Sequence, residues 1–177
     1  MGHFENGGGN NGSGATRLSN LHGVLGEGKL RIAELAEEAQ SICDEHWNWH
    51  YRENASRKPR EKARLIAWVR HRKGGLEISW AHFRFVKKEG DVVSKPRNNH
   101  ISKGRDHKYR THSLAVHAKD WEIDHVLEIE ERLAEIRAEY AHVRKMMSSA
   151  KMAIKRAEKR PRVAPKALSH EGEEVPE

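Results

Sequence analysis

Residues 62–88 read KARLIAWVRHRKGGLEISWAHFRFVKK, and the prediction of the fold starts from this stretch. Leu65–Val69 is a run of β-prone residues, and Leu76–Trp80 alternates apolar with polar residues. Between the two runs, Gly74 and Gly75 tolerate the positive φ that a tight turn requires. The stretch therefore predicts a β-hairpin.

The alternation changes face within the second strand. The apolar side chains from Leu76 to Trp80 share one face, whereas Phe83 and Phe85 fall on the opposite one. Either a β-bulge near Ala81–His82 or a strand covered on both sides would account for the change.

A third, weaker strand is predicted over His100–Lys103. It lies between predicted loops around Pro96 and Gly104.

An N-terminal helix precedes the hairpin. Apolar residues from Ile32 to Trp49 recur at alternating three- and four-residue steps, which is the spacing of one helix stripe. The pattern predicts a helix that begins near Glu27 and fades between Arg52 and Pro59.

The clearest pattern follows the hairpin, between Lys119 and Arg160. Ten apolar residues from Val126 to Ala157 repeat in 3-4 steps, and Pro161 ends the pattern. Acidic residues crowd the first half of this helix and basic residues the second, which favours an antiparallel partner. The N-terminal helix is the first candidate partner, and a homodimer through the surplus length of the C-terminal helix is the second.

These elements predict an α+β fold, in which a small antiparallel sheet of two to three strands is flanked by an N-terminal helix and a long heptad-patterned C-terminal helix. Residues 1–24 are rich in Gly and Asn and predict a disordered tail. Residues 25–160 form the predicted single domain, and residues 161–177 a disordered acidic tail.

Positive charge is concentrated around the hairpin. Residues 57–119 carry eighteen Lys and Arg against five Asp and Glu, a balance of +13 in a chain of net charge +7, so the remaining residues sum to −6. Repulsion among so many cations is destabilising unless a polyanion relieves it. Five aromatic residues, Trp68 and Tyr109 among them, are interleaved with the cations and offer faces for stacking. The segment predicts nucleic-acid binding, with DNA and RNA both open.

The predicted contacts lie on the hairpin, on the segment before it and on the loop near residue 105. They are Arg60, Lys62, Arg64, Trp68, Arg70, Arg72, Lys73, Arg84, Lys87, Lys88, Lys103, Arg105, Lys108, Tyr109 and Arg110. A two-stranded ribbon with a cationic tip has dimensions that fit a major groove. The alternative is that these cations only solubilise an exposed sheet face.

Other classes of protein find less support. No apolar run approaches the roughly 18 residues that a membrane span needs, and no secretory signal opens the chain, so the expected location is the cytoplasm. The single cysteine, Cys43, excludes an internal disulfide. Cys43, His46 and His50 fall on roughly one helix face, where either a metal site or a packed polar-aromatic cluster is open, and the cluster is preferred. No metal or cofactor is predicted.

Catalysis is not predicted. The carboxylates of the basic segment are Glu61, Glu77, Glu89, Asp91 and Asp106. They form no metal-binding pattern with histidines, and neither a P-loop nor a nucleophile elbow is present. A metal-dependent nuclease is the less favoured alternative, together with an interaction adaptor that recruits its partner through the long helix.

The residues also resemble a known family. Leu76–Lys88, followed by Ile101–Arg105, Tyr109 and Ala118–Glu122 at the start of a long helix, is similar to the MobI family of conjugative mobilisation proteins of bacterial plasmids and integrative elements. The resemblance covers roughly residues 60 to 145 and rests on order and spacing. It implies an accessory factor that binds double-stranded DNA at the origin of transfer and acts with a relaxase, without catalytic residues of its own.

Overall fold

Three helices and one sheet make up the described part of the chain in this computed structural model, which covers residues 11–72, 75–86 and 95–159. In chain order the elements are α1 (Asn11–Ala55), β1 (Leu65–Arg72), β2 (Gly75–Val86), β3 (Lys95–His100), α2 (Thr111–Ala115) and α3 (Ile123–Glu158). The predicted α+β class is confirmed. The start of the predicted N-terminal tail, residues 1–10, and the predicted acidic tail, residues 161–177, lie outside the described residues. The domain limits stay a prediction.

The two long helices, α1 and α3, run antiparallel along each other. Near the middle of the pair, Arg31 Nε donates to Glu139 Oε1 at 2.6 Å. Further along, Arg132 Nη2 lies 2.8 Å from Glu45 Oε2. Leu133, a heptad position of α3, is fully buried. The intrachain helix pair, which was the first candidate partner, is therefore present.

Helix α1 begins at Asn11, although composition predicted a disordered tail over residues 1–24. Leu18 and Leu21 line a groove together with Ala153 of α3. Packing against α3 thus supports helical turns that a glycine-rich composition disfavours, because tertiary contacts can outweigh a low helix propensity. Within residues 11–24 the prediction of disorder was wrong.

The sheet is antiparallel with strand order β1-β2-β3. Arg72 lies opposite Gly75, so two residues connect the strands, as the glycines predicted. Pairing is continuous through Ala81 and His82 with both neighbouring strands, and the predicted bulge does not form in this described register. Both faces are covered instead, since Trp80 on one face and Ala81 on the other are each fully buried.

Strand β3 covers Lys95–His100 rather than the predicted His100–Lys103. In the described sheet β3 pairs with β2 alone and is therefore an edge strand. An edge strand can be polar throughout, and it also tolerates a proline such as Pro96. The backbone N–H of Ile101 continues the pairing by one bond, 3.0 Å from the Trp80 carbonyl oxygen. Ile101 lies just after β3 and is buried, and its apolar side chain is the reason that the strand was predicted too late in the chain.

One face of the sheet, here called the inner face, packs on both long helices. The Trp80 ring lies 5.1 Å from the His46 ring of α1. On the α3 side, the Tyr140 hydroxyl accepts a hydrogen bond from the Leu76 N–H at 2.9 Å. None of the described helices is both long and apolar enough to cross a membrane.

Candidate nucleic-acid interface

A buried ion pair on α3 holds the loop between β3 and α2. Glu130 is fully buried and Arg137 is 7% exposed. The Glu130 carboxylate accepts hydrogen bonds from the Trp80 indole and the Tyr109 backbone N–H, each at 2.7 Å, and pairs with Arg137. Arg137 also donates to the His107 carbonyl oxygen at 2.6 Å. Because removing one partner of a buried ion pair leaves an uncompensated charge, this network fixes the arrangement of the loop.

Tyr109 belongs to that network and not to the surface. It was predicted as a nucleic-acid contact, but it is only 3% exposed. Its hydroxyl accepts a hydrogen bond from the Trp80 N–H at 3.3 Å, and its ring lies 5.3 Å from the Arg137 guanidinium carbon. Burial raises the pKa of the phenol. The ring is therefore unavailable for stacking on a base, and this part of the prediction was wrong.

The other predicted loop residues are cations, and they divide into two kinds. Lys108 pairs with Glu131 of α3, and the Lys103 ammonium donates to the Asp106 carbonyl oxygen. Burial lowers the pKa of Lys103. Arg105 and Arg110 are exposed and form no ion pair with another described residue. The loop thus presents these two guanidinium groups.

The sheet face that carries Trp68 and Glu77, opposite the inner face and here called the outer face, forms a shallow depression of about 390 Å³. It is lined by Trp68, Arg70, Arg72, Glu77, Asn98 and His100. Arg70 makes a two-pronged ion pair with Glu77, at 2.8 and 3.0 Å, and lies 5.6 Å from the Trp68 ring. The guanidinium of Arg70 lowers the pKa of the Glu77 carboxyl.

The charge of the ribbon is therefore smaller than its sequence suggests. Arg70 is neutralised by Glu77, whereas the neighbouring Arg72 is exposed and has no ion pair in the described chain. Trp68 is half-buried, and its indole donates to the Ser79 hydroxyl. Residues 73, 87 and 88, all predicted contacts, lie outside the described residues.

A stronger concentration of positive charge lies near the C-terminal end of β2. We call it the cationic corner, and its members are Arg64, His82, Arg84, Arg97, His117 and Lys119. Arg84 and Arg97 are directly opposed in the β2–β3 ladder, and like charges in that position are destabilising. The His82 and His117 rings stack with centroids 5.1 Å apart. No member of the corner has an ion-pair partner within the described ranges.

The positive charges of this corner also act on the pKa of His82. Burial is the largest cause that lowers the pKa of His82. The positive charges of His117, Arg64, Arg84 and Lys119 lower it further. An anion bound at the corner would oppose this effect and would relieve the repulsion between the arginines.

Sequence reasoning found only part of this surface. Arg64 and Arg84 were predicted contacts, but Arg84 was grouped with the ribbon. Arg97 was missed because β3 was placed too late in the chain. The contact between His82 and His117 depends on tertiary packing, and no spacing rule in the sequence indicates it.

The remaining predicted residues lie between α1 and β1. Arg60 is exposed, and Lys62 and Arg64 are half-buried. Lys62 and Arg64 line an apolar groove beside the end of α1.

The residues considered for metal binding are packed inside the fold. Cys43 is 1% exposed, and burial raises its thiol pKa to about 12. His46 Nε2 lies 3.1 Å from the Leu65 carbonyl oxygen, and His50 is 3.2 Å from the Asn54 amide nitrogen. Over the described ranges, no group of three or more His, Cys, Asp or Glu is arranged to hold a metal ion.

The fold and this surface define a class of protein, in which an antiparallel helix pair carries a small sheet with a cationic and aromatic surface. A family model described as MobI protein matches residues 35–151. The chain belongs to the MobI family, and its role is accordingly in conjugative mobilisation. MobI is an accessory family of mobilisation and is not known as an enzyme family. Comparison with curated proteins found no significant match, and comparison with solved structures found none either.

Proposed function

We propose that this chain is a DNA-binding accessory protein of conjugative transfer, which recognises double-stranded DNA at the origin of transfer and helps to recruit a relaxase. Membership of the MobI family supports the role in transfer. The observation that carries the proposal of DNA binding is the cationic corner, where Arg84 directly opposes Arg97 without a carboxylate partner among the described residues. Phosphate groups are the anions that would best relieve this repulsion.

The contrast between helices and sheet supports the same proposal. In the central part of the helix pair, cations are matched by acids: Arg31 contacts Glu34, Glu38 and Glu139 at 2.6 to 2.9 Å. At the sheet end, Arg72 and the cationic corner lack such partners within the described chain. Positive charge at the sheet end therefore lacks the local compensation that Arg31 has, and such a field orients an approaching polyanion.

The shape of this end suits a duplex. The β1–β2 hairpin is a two-stranded ribbon, and a ribbon of this width enters a major groove. Arg105 and Arg110 lie on the loop that the Glu130–Arg137 ion pair holds in place, where they contact adjacent phosphates. Phosphate contacts of this kind set the orientation of a protein on DNA, and base contacts supply the sequence preference.

The salt dependence of binding tests the proposal. We expect Arg84→Ala with Arg97→Ala to weaken binding to origin duplex and to reduce the slope of log K against log salt by about 2, because each lost phosphate contact removes about 0.9. Fluorescence anisotropy across a salt series measures both quantities. The control is Lys151→Ala with Lys155→Ala, which removes two exposed cations from α3 away from the sheet.

The outcomes are distinct. An unchanged slope in the Arg84 and Arg97 variant would remove the cationic corner as the contact. Equal binding to origin and scrambled duplex would remove origin recognition, and absence of binding to either duplex would contradict the proposal as a whole.

The adaptor alternative gains no specific support. It would use the apolar seam of α3 to recruit a partner, but Ile129, Leu133 and Ile154 of that seam are buried within this chain. Recruitment of a relaxase in our proposal therefore uses other surfaces, and a pull-down with purified relaxase, with and without origin DNA, tests it.

A further inference from the structure

An apolar groove lies beside the end of α1, and duplex binding as proposed above does not require it. Its volume is about 710 Å³, within the range of ligand-binding pockets. Trp47 and Tyr51 of α1 face Phe83 and Phe85 of β2 across it. Tyr51 is 79% exposed, Phe85 64% and Trp47 39%. Large apolar rings exposed together mark a binding surface.

The groove is held in shape by bonds around it. The Trp47 and Phe83 rings meet edge to face with centroids 6.1 Å apart. The Asn54 side chain accepts from the Ala63 N–H at 2.8 Å and donates to the Ala63 carbonyl oxygen at 3.1 Å, which ties the end of α1 to the start of β1. The aromatic rings are therefore presented on a preformed support, which limits the entropy lost on binding.

The charge of the lining selects the ligand. Lys62 and Arg64 are the charged residues among the described residues that line the groove, and this described lining includes no carboxylate. Arg64 is also a member of the cationic corner, so the aromatic rings lead directly to the unpaired cations. A ligand with flat rings and a negatively charged backbone matches both features.

We infer that this groove binds unpaired nucleotides of single-stranded DNA, with bases stacked on the rings of Tyr51 and Phe85 and phosphates placed along Lys62 and Arg64. The inference rests on the proposed DNA-binding function and adds a second form of DNA as substrate. In a duplex the base faces are stacked on each other inside the helix, so exposed aromatic rings serve a strand whose bases are free.

The test compares two probes, a fluorescein-labelled oligothymidylate and the origin duplex. Tyr51→Ala with Phe85→Ala should weaken oligothymidylate binding by about tenfold, because stacking on aromatic side chains supplies much of the affinity for single strands. Duplex affinity should stay unchanged. Met152→Ala is the matched control, since Met152 is an apolar side chain of α3 that is 50% exposed and does not line the groove.

Tryptophan fluorescence supplies a second readout, which is measured first on the wild-type protein. Trp47 lines the groove, whereas Trp49, Trp68, Trp80 and Trp121 are not among its lining residues. The oligothymidylate should quench the emission of the wild-type protein, and Trp47→Phe should remove most of that quenching. Circular dichroism of each variant confirms that the fold is kept.

The outcomes separate this inference from the proposed function. Wild-type affinity of the Tyr51 and Phe85 variant for oligothymidylate overturns the inference. So does a variant that keeps both DNA affinities and loses relaxase binding, because the groove is then a protein site. Groove-dependent binding of oligothymidylate without any duplex binding supports the inference and overturns the proposed function.

Discussion

Two buried titratable residues couple the stability of the fold to pH in opposite directions. Burial lowers the pKa of His46 from 6.5 to about 4, so its contribution to stability is lost as the pH falls from 6.5 towards 4. Burial raises the pKa of Glu122 from 4.5 to about 7, so its contribution is present below pH 4.5 and is lost as the pH rises to 7. Glu122 accepts a hydrogen bond from the Lys119 backbone N–H at 2.7 Å, and the side chains of His46 and Glu122 are both fully buried.

We predict that Glu122→Gln stabilises the protein in a pH-dependent way. The amide keeps an acceptor for Lys119 and never ionises, so the variant should match the wild type near about pH 4.5 and exceed its free energy of unfolding by about 1–3 kcal/mol near about pH 8. Urea unfolding over this pH range measures the difference. Glu128→Gln, an exposed change on α3, is the control. A difference that does not vary with pH would contradict the assignment.

At the scale of elements, α1 is long, rich in glycine and yet helical. Two of its glycines differ in what surrounds them. A Cβ built on Gly23 would meet no atom within 4 Å, whereas a Cβ on Gly28 would lie 2.6 Å from Met147 Cγ and 2.8 Å from its sulfur. Met147 belongs to α3 and is 7% exposed. Gly28 therefore permits close approach of the two helices, and Gly23 has no such role.

The prediction is that alanine has different effects at these two positions. Gly23→Ala should raise the free energy of unfolding by about 0.5–1 kcal/mol, because alanine loses less backbone entropy in a helix. Gly28→Ala has the same gain in propensity but must displace Met147, so we expect no net stabilisation or a loss. Thermal or urea unfolding of both variants checks this. Equal stabilisation would mean that the helices do not meet closely at Gly28, and Gly28→Ala should be less destabilising in a Met147→Ala background, which a double-mutant cycle measures.

At the scale of the whole molecule, the apolar seam of α3 is covered by α1 within one chain. Ile129 and Leu133 are fully buried, and Met147, Ala150 and Ile154 are each at most 7% exposed. Two ion pairs, Arg31–Glu139 and Arg132–Glu45, also join the two helices. At the sheet end, Arg72 and the cationic corner keep their charge without ion-pair partners among the described residues.

We predict a monomer in the absence of DNA. Size-exclusion chromatography with light scattering should give a mass near the 20.3 kDa of one chain, because the seam that a second copy would use is buried. A mass of about twice that value would support the homodimer through the C-terminal helix that the sequence left open.

Several features could be predicted from the sequence because they are periodic or local. The 3-4 repeat from Val126 to Ala157 predicts α3, and the alternation from Leu76 to Trp80 with its glycine turn predicts the hairpin. Local charge density indicated the cationic end of the molecule. These signals depend on spacing along the chain, which secondary structure converts directly into a face or a stripe.

Other features depended on tertiary structure, because they arise between residues far apart in the chain. The polar strand β3 is paired by β2 and carries no signal of its own. In the sequence Tyr109 has the pattern of an exposed stacking residue, but in the fold it is buried and hydrogen-bonded to Glu130 and Trp80. The opposition of Arg84 and Arg97 follows from strand register. The sequence by itself thus determined the elements and the sign of the charge, whereas register and burial decided which cations and rings share a surface, since long-range packing alone brings them together.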